Sequence, residues 1–252
     1  MLVENNIQFY LNSKSAIKPS GVSSTGDCVF TFDGLSLEHA KIIYASVQQA
    51  QIPQSFENID SINNTLVFRS NNTTYNTYII PEANYTATTL KNWINANVAG
   101  LTVVFDAPTL KYTFTNTVLP PGHTWGFSGA TTCFEVLGFA ENIPVYTTSA
   151  TLTSNYVVNF FTIRNILVEI NNLITDNISS ENQQNASILC SIPISTSQGA
   201  IISYNNIYNI KNRINTINNF NNLHVRLLDQ DLALLDLNGV DWTMTLQINY
   251  FE

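Results

Sequence analysis

From Thr243 to Tyr250 the chain alternates without a break: Met244, Leu246, Ile248 and Tyr250 face one way, and Thr243, Thr245, Gln247 and Asn249 the other. Successive side chains of a strand point to opposite faces, so this pattern predicts a half-buried antiparallel strand. Trp242 extends its apolar face. A matching pattern stands near the other end, where Ile7, Phe9 and Leu11 alternate with Gln8, Tyr10 and Asn12 ahead of a Lys18-Pro19-Ser20-Gly21 turn. Greek-key sandwiches pair strands from both ends of the chain in one sheet, and no other feature of the sequence restricts the fold so strongly.

Between these ends lie Cys28–Phe32, Ala40–Gln49, Val157–Ile170, Ser187–Ile194, Ala200–Tyr204 and Leu223–Leu228. Each is rich in Val, Ile, Phe or Tyr and bounded by Asn, Ser, Gly or Pro, as strands are. Val157–Ile170 is long enough for a helix, but its β-branched content and interrupting Asn residues favour a strand. The total is about eight strands, the jelly-roll number. The expected fold class is all-β: a single jelly-roll sandwich with an inserted small α+β domain.

That insertion is read from residues 62–144, leaving 1–61 and 145–252 for the jelly roll. Thr65–Arg69 and Thr77–Ile80 look like a short strand pair. Leu90, Trp93, Ile94 and Val98 recur at helical spacing over Thr88–Val98, with Thr86, Thr88 or Thr89 as cap and Gly100 at the end. Leu101–Asp106 and Leu110–Thr115 flank Ala107-Pro108-Thr109 as a hairpin. After Pro120-Pro121-Gly122, a segment Trp125–Ala130 precedes a short helix over Thr131–Gly138.

Only 11% of the residues are charged, less than half of the roughly 25% usual in soluble domains. Asn, Thr, Ser and Gln must therefore cover the surface, which suits packing against other subunits; codon bias in an AT-rich genome would write the same composition. Net charge is −8 and the ten Lys and Arg residues are scattered, so no basic stripe exists for direct nucleic-acid binding or an anionic membrane. The three cysteines, Cys28, Cys133 and Cys190, are far apart with no CxxC spacing, so neither a zinc site nor a disulfide framework is indicated and a reducing compartment of synthesis is expected. No signal-peptide pattern opens the sequence, and no run of 18 apolar residues predicts a membrane span. The six sequons then read as by-products of an Asn- and Thr-rich chain.

No GxSxG, Walker, GxGxxG or HExxH motif is present. His39, His123 and His224 are isolated in sequence, without a spaced carboxylate or cysteine partner. Asp229-Gln230-Asp231 and Asp236–Asp241 gather oxygens, but their spacing fails the calcium-loop pattern, and Asn238-Gly239 marks a turn before the last strand. Trp93, Phe105, Tyr112 and Phe114 fall on patterned faces and are expected in a core, not on a base-stacking platform. No catalytic, cofactor-binding or metal-ligating residue is expected, and the chain is read as a non-enzyme.

Two blocks resemble penton proteins, the minor capsid proteins of virophages, Polinton-like elements and some large eukaryotic DNA viruses. One is Leu223–Asp229 followed by Leu235–Leu246, which looks like that family's closing strand pair; the other is the helix, the hairpin with Lys111–Asn116, and Leu137-Gly138-Phe139. The family often has Gly after Asp229-Gln230-Asp231, where this chain has Leu232. The resemblance implies a homopentamer around each five-fold axis of an icosahedral capsid, closing vertices among capsomers of a double-jelly-roll major capsid protein. It also implies location in the virion, with synthesis in the host cytoplasm.

Two other classes compete. A receptor- or carbohydrate-binding module would use the insertion to present aromatics such as Trp125 and Phe127 to a host receptor. A cupin-like enzyme would need clustered His and carboxylate ligands, which three scattered histidines do not supply.

Overall fold

The structure, a computed structural model, describes residues 3–19, 26–36, 40, 42–171, 173, 187–214 and 219–251. It divides into two units, Met1–Phe56 with Ile163–Glu252, and Glu57–Thr162. Strands β1 (Glu4–Asn12), β2 (Asp27–Ser36) and β3 (Ile42–Pro53) open the first unit. The second holds β4 (Thr65–Arg69), β5 (Tyr75–Ile79), α1 (Ala87–Asn97), β6 (Leu101–Asp106), β7 (Lys111–Asn116), β8 (Trp125–Phe127), α2 (Phe134–Leu137), β9 (Val145–Thr147) and β10 (Thr151–Thr153). The chain then completes the first unit with β11 (Asn165–Ile170), β12 (Ile188–Pro193), β13 (Ile201–Asn205), β14 (Asn212–Ile214), β15 (Asn219–Leu228) and β16 (Thr243–Phe251).

In the first unit, β1 and β16 pair antiparallel, placing Ile7 opposite Ile248, Phe9 opposite Leu246 and Leu11 opposite Met244. Their shared inward parity follows from the alternation, because a slip of one residue would turn both apolar rows to solvent. One sheet has the order β1-β16-β3-β13, with β14 also on β3; the other has the order β12-β11-β15-β2. Strands β13 and β14 pair in turn with Gln49–Pro53 and Ile43–Ala45 along one edge of β3, so they fill a single strand position interrupted by residues 206–211. Counted by position, the first, eighth, third and sixth strands form one sheet and the second, seventh, fourth and fifth the other. This is jelly-roll topology, with the second unit inserted between the third and fourth positions.

A bulge tunes β3. Thr245 lies opposite Gln49 but Leu246 lies opposite Val47, so Gln48 is the extra residue and the inward parity resets. Ile43, Ala45 and Val47 before the bulge, and Ala50 and Ile52 after it, all reach the core. Ser13 ties the ends of β1 and β16 together: its N–H donates to the Trp242 carbonyl (3.0 Å), while its Oγ accepts from the Trp242 N–H (2.9 Å) and donates to Asp241 Oδ1 (2.9 Å). A buried hydroxyl is thereby satisfied beside the buried indole, which meets Phe30 edge-on at 5.9 Å.

The second unit packs two sheets, β10-β7-β6 and β5-β4-β8-β9, with α1 and α2 around a separate core. Helix α1 begins in a capping box. The Thr86 Oγ1 accepts from the Thr89 N–H (3.2 Å) and the Thr89 Oγ1 accepts from the Thr86 N–H (2.8 Å). Leu90, Ile94 and Val98 bury its inner face. Phe68, Phe114, Trp125, Phe127 and Phe139 interlock at centroid distances of 5.0 to 6.4 Å. The polar tips of the buried rings are satisfied by carbonyls, Tyr112 Oη donating to Ala87 (2.7 Å) and Trp125 Nε1 to Ser149 (2.5 Å). Helix α2 stops at Gly138 (φ 80°), where a Cβ would lie 2.5 Å from the Tyr156 carbonyl oxygen.

Several sequence expectations need correction. The segment from Val157 to Arg164 is not strand; only Asn165–Ile170 pairs in the sheet. Single bonds such as Val158 N–H to the Leu110 carbonyl and Asn159 N–H to the Glu135 carbonyl hold this extended chain on the second unit instead. The unit runs over 57–162 and not 62–144, because Val145–Thr147 pairs with β8 and Thr151–Thr153 with β7. Those three-residue strands, and β14, are too short to show a period. The expected helix over Thr131–Gly138 shrinks to Phe134–Leu137.

Candidate assembly surfaces

The residues weighed for chemistry in the sequence are scattered or occupied. His39 lies outside the described residues. His123 Nδ1 is buried without a protein hydrogen-bond partner. His224 Nε2 meets Asp27 Oδ1 at 2.5 Å, across the β15–β2 pair, and its Nδ1 is 3.4 Å from Asn171 Nδ2. Local spacing hid this partner, 197 positions away, because strand register alone brings the two together. Among the described residues no three His, Cys, Asp or Glu side chains gather as a metal ion would require.

The acidic run before β16 is committed to turns. Asp229 Oδ1 accepts from the N–H groups of Asp231 (2.9 Å) and Ala233 (2.8 Å), and Asp236 Oδ1 from that of Asn238 (2.8 Å). Asn238 and Gly239 take positive φ (50° and 75°), and Leu232, where the penton resemblance would place Gly, also adopts φ 67°. The thiols are equally quiet. Burial pushes Cys28 up to about 11 and Cys133 and Cys190 up to about 12, which holds all three as thiols near neutral pH.

What the first unit does present is two outer sheet faces of unlike chemistry. The face over β1, β16, β3 and β13 carries Gln49, Gln51, Thr243, Thr245, Ser203 and Asn205 around an open groove of about 550 Å³, and Gln8 and Gln48 line a smaller one of about 320 Å³ beside it. Its side chains hydrogen-bond one another: Tyr10 Oη donates to Gln8 Oε1 (2.9 Å), Gln8 Nε2 to Gln247 Oε1 (3.2 Å), and Gln247 Nε2 to Asn249 Oδ1 (3.0 Å). Asn249 Nδ2 then donates to Glu4 Oε1 (3.0 Å), which also meets Lys211 Nζ (3.0 Å). The opposite sheet carries on its outer side the hydrogen-bonded Asp27 and His224 and one ion pair, Arg226 Nη1 on Glu169 Oε2 at 2.9 Å. Each face thus carries one ion pair, but the first is dominated by amide and hydroxyl groups that bond one another, and such groups cost less to desolvate than ionised ones.

In the second unit, Trp125 and Phe127 are fully buried, so they cannot serve as the displayed aromatics that a binding module would need. The aromatic display sits elsewhere. Register aligns Tyr75, Arg69, Gly126 and Tyr146 in one row across β5, β4, β8 and β9. Gly126 (φ 152°) has no room for a Cβ, which would lie 1.8 Å from the Val145 oxygen. The Arg69 guanidinium lies 4.6 Å from the Tyr146 ring centroid and 5.6 Å from that of Tyr75, and its N–H groups donate to the Asn71 and Asn72 carbonyls (2.9 Å each). Tyr75 and Tyr146 were not singled out in the sequence, and only the sheet register reveals the row.

No helix among the described residues is long and apolar enough to cross a membrane. No family model and no curated protein matches the sequence. Among solved structures, the crystal structure of selenomethionine-labelled mavirus penton protein is similar at a TM-score of 0.52 and 14% identity, covering 98% of this chain and 99% of that one. Over nearly its whole length, therefore, this chain has the fold of a virophage penton protein.

Proposed function

We propose that this chain is a minor capsid protein of the penton type, whose homopentamers close the five-fold vertices of an icosahedral virion. One observation carries the proposal: the likeness to a penton protein extends over 98% of this chain and 99% of the other, so it takes in more than a jelly roll of unspecified use. The role is geometric, and no step of chemistry is assigned to it. Five-fold rotation joins two different patches of one subunit, so the joint is heterologous and ring-closing, formed by side faces of the first unit. The outer partner is a double-jelly-roll major capsid protein, and the working location is the capsid vertex, after synthesis in the host cytoplasm. Sedimentation velocity of the purified protein together with class averages from electron microscopy tests this. A five-fold ring is expected, and a strict monomer at every concentration would overturn it.

A second reading, attachment to a host receptor or glycan through the second unit, is favoured by the exposed Tyr75–Arg69–Tyr146 row. Glycan-array binding that is lost in Tyr146→Ala is the expected result. An array silent for the intact protein would remove this reading and leave the vertex role untouched.

A further inference from the structure

On the outer face of the first unit, register sets two rows of uncharged polar side chains across four strands. Tyr10, Thr245, Gln49 and Asn205 stand opposite one another in turn, and two residues along the strands so do Asn12, Thr243, Gln51 and Ser203. The residues between them, Leu11, Met244 and Ala50, are buried, so both rows share the solvent side. Their side chains differ in length. Thr243 and Thr245 on β16 make a low floor between Tyr10 and Asn12 of β1 on one side and Gln49 and Gln51 of β3 on the other, which is the open groove of about 550 Å³. The bulge at Gln48 turns Gln49 and Gln51 outward, since the parity of Ile43, Ala45 and Val47 would otherwise carry them into the core.

The two ends of this face differ in what their side chains bond. Around the groove, Gln49, Gln51, Ser203, Asn205, Thr243 and Thr245 form no side-chain hydrogen bond to another described residue, so their donors and acceptors are free to exchange water for a ligand. Beyond it, Tyr10 Oη is tied to Gln8, and Gln8 through Gln247 and Asn249 to the Glu4–Lys211 pair, which holds the Tyr10 ring (78% exposed) beside the groove. No Lys, Arg, Asp or Glu lines the groove, so an ionic ligand would give up hydration there without a counter-charge. An Asn or Gln amide presents a donor and an acceptor side by side, which two adjacent hydroxyls of a sugar complement, and a tyrosine ring takes the apolar face of a sugar ring. The rows lie about 7 Å apart, so one sugar ring reaches both. A peptide strand would pair at a sheet edge and not on a face, and a second copy would need an apolar centre that this groove lacks.

We infer that this groove is a binding site for an uncharged saccharide, with Tyr10 against the sugar ring and the Gln49 and Gln51 amides on its hydroxyls. The site is separate from the aromatic row of the second unit and does not depend on the vertex reading. An open groove of this kind binds weakly, with a dissociation constant on the order of 1 mM. The probes are lactose, maltose, cellobiose and diacetylchitobiose, with sialyllactose as the charged comparison, each titrated into the full-length protein. Saturation-transfer NMR should report at least one neutral disaccharide bound, and amide spectra of isotope-labelled protein should shift on β1, β3 and β16. Tyr10→Ala, and separately Gln49→Ala/Gln51→Ala, should weaken that binding by about 10-fold or more. Ile143→Ser, at an exposed residue of the second unit (57%), should bind as the parent does. Thermal unfolding should be unmoved in all three variants, since the changed side chains are exposed, so lost binding is not lost fold. Silence across the neutral panel at about 50 mM sugar, parental affinity in both groove variants, or binding of sialyllactose alone would overturn the inference. Shifts confined to β4, β5, β8 and β9 would also overturn it, and would support attachment through the second unit instead. None of these results bears on the vertex role.

Discussion

The two units solve the same problem in opposite ways. The second is one continuous stretch, 57–162, whose sheets grow from hairpins and neighbouring segments around a core dense in rings: Phe68, Tyr112, Phe114, Trp125, Phe127, Phe134 and Phe139. The first is split in two and joins its earliest strand to its latest, around a core that is mainly aliphatic. A local unit can close on short loops, whereas the split unit must bring residues 239 positions apart together before its central strands have partners. Closure of the sandwich therefore depends on β16, which lies between β1 and β3.

Deleting 243–252 should give the largest effect. The first unit loses the strand that links β1 to β3 and is expected not to fold, while a fragment of residues 57–162 keeps a native-like near-ultraviolet spectrum from its packed rings. A fragment lacking that spectrum would show that the second unit depends on the first. Trp242→Ala comes next, removing the buried indole against Phe30 at a cost of about 3–5 kcal/mol, read as a shift of the chemical denaturation midpoint. Gly126→Ala should cost the second unit about 2–3 kcal/mol, because both its φ and the Val145 oxygen exclude a side chain. Hydrogen exchange would assign that loss to β4, β8 and β9. Thr86→Ala should cost only about 1 kcal/mol through the lost cap of α1, with exchange accelerated in that helix alone.

How much of this could be read in advance follows from the same contrast. The terminal strands were legible because alternation over six residues in one and eight in the other leaves one parity, and α1 because its cap, its apolar spacing and Gly100 all agree. The bulge at Gln48 was not, since one extra residue inside a long apolar strand disturbs the pattern no more than a substitution would. Strands β9, β10 and β14 are too short for periodicity, and the Asn-rich Val157–Arg164 stretch carries strand-like residues that find single hydrogen-bond partners instead of a ladder. The assembly surfaces were the least legible. Gln8 and Gln247, or Tyr75 and Tyr146, become neighbours only through register.

The vertex role is tested most directly by reconstructing the intact particle and examining its five-fold axes. Five copies of the 1–56/163–252 sandwich around each axis, and none at the six-coordinated positions, is the expected result. Density for this fold only away from the vertices, or absent from the particle, would contradict it.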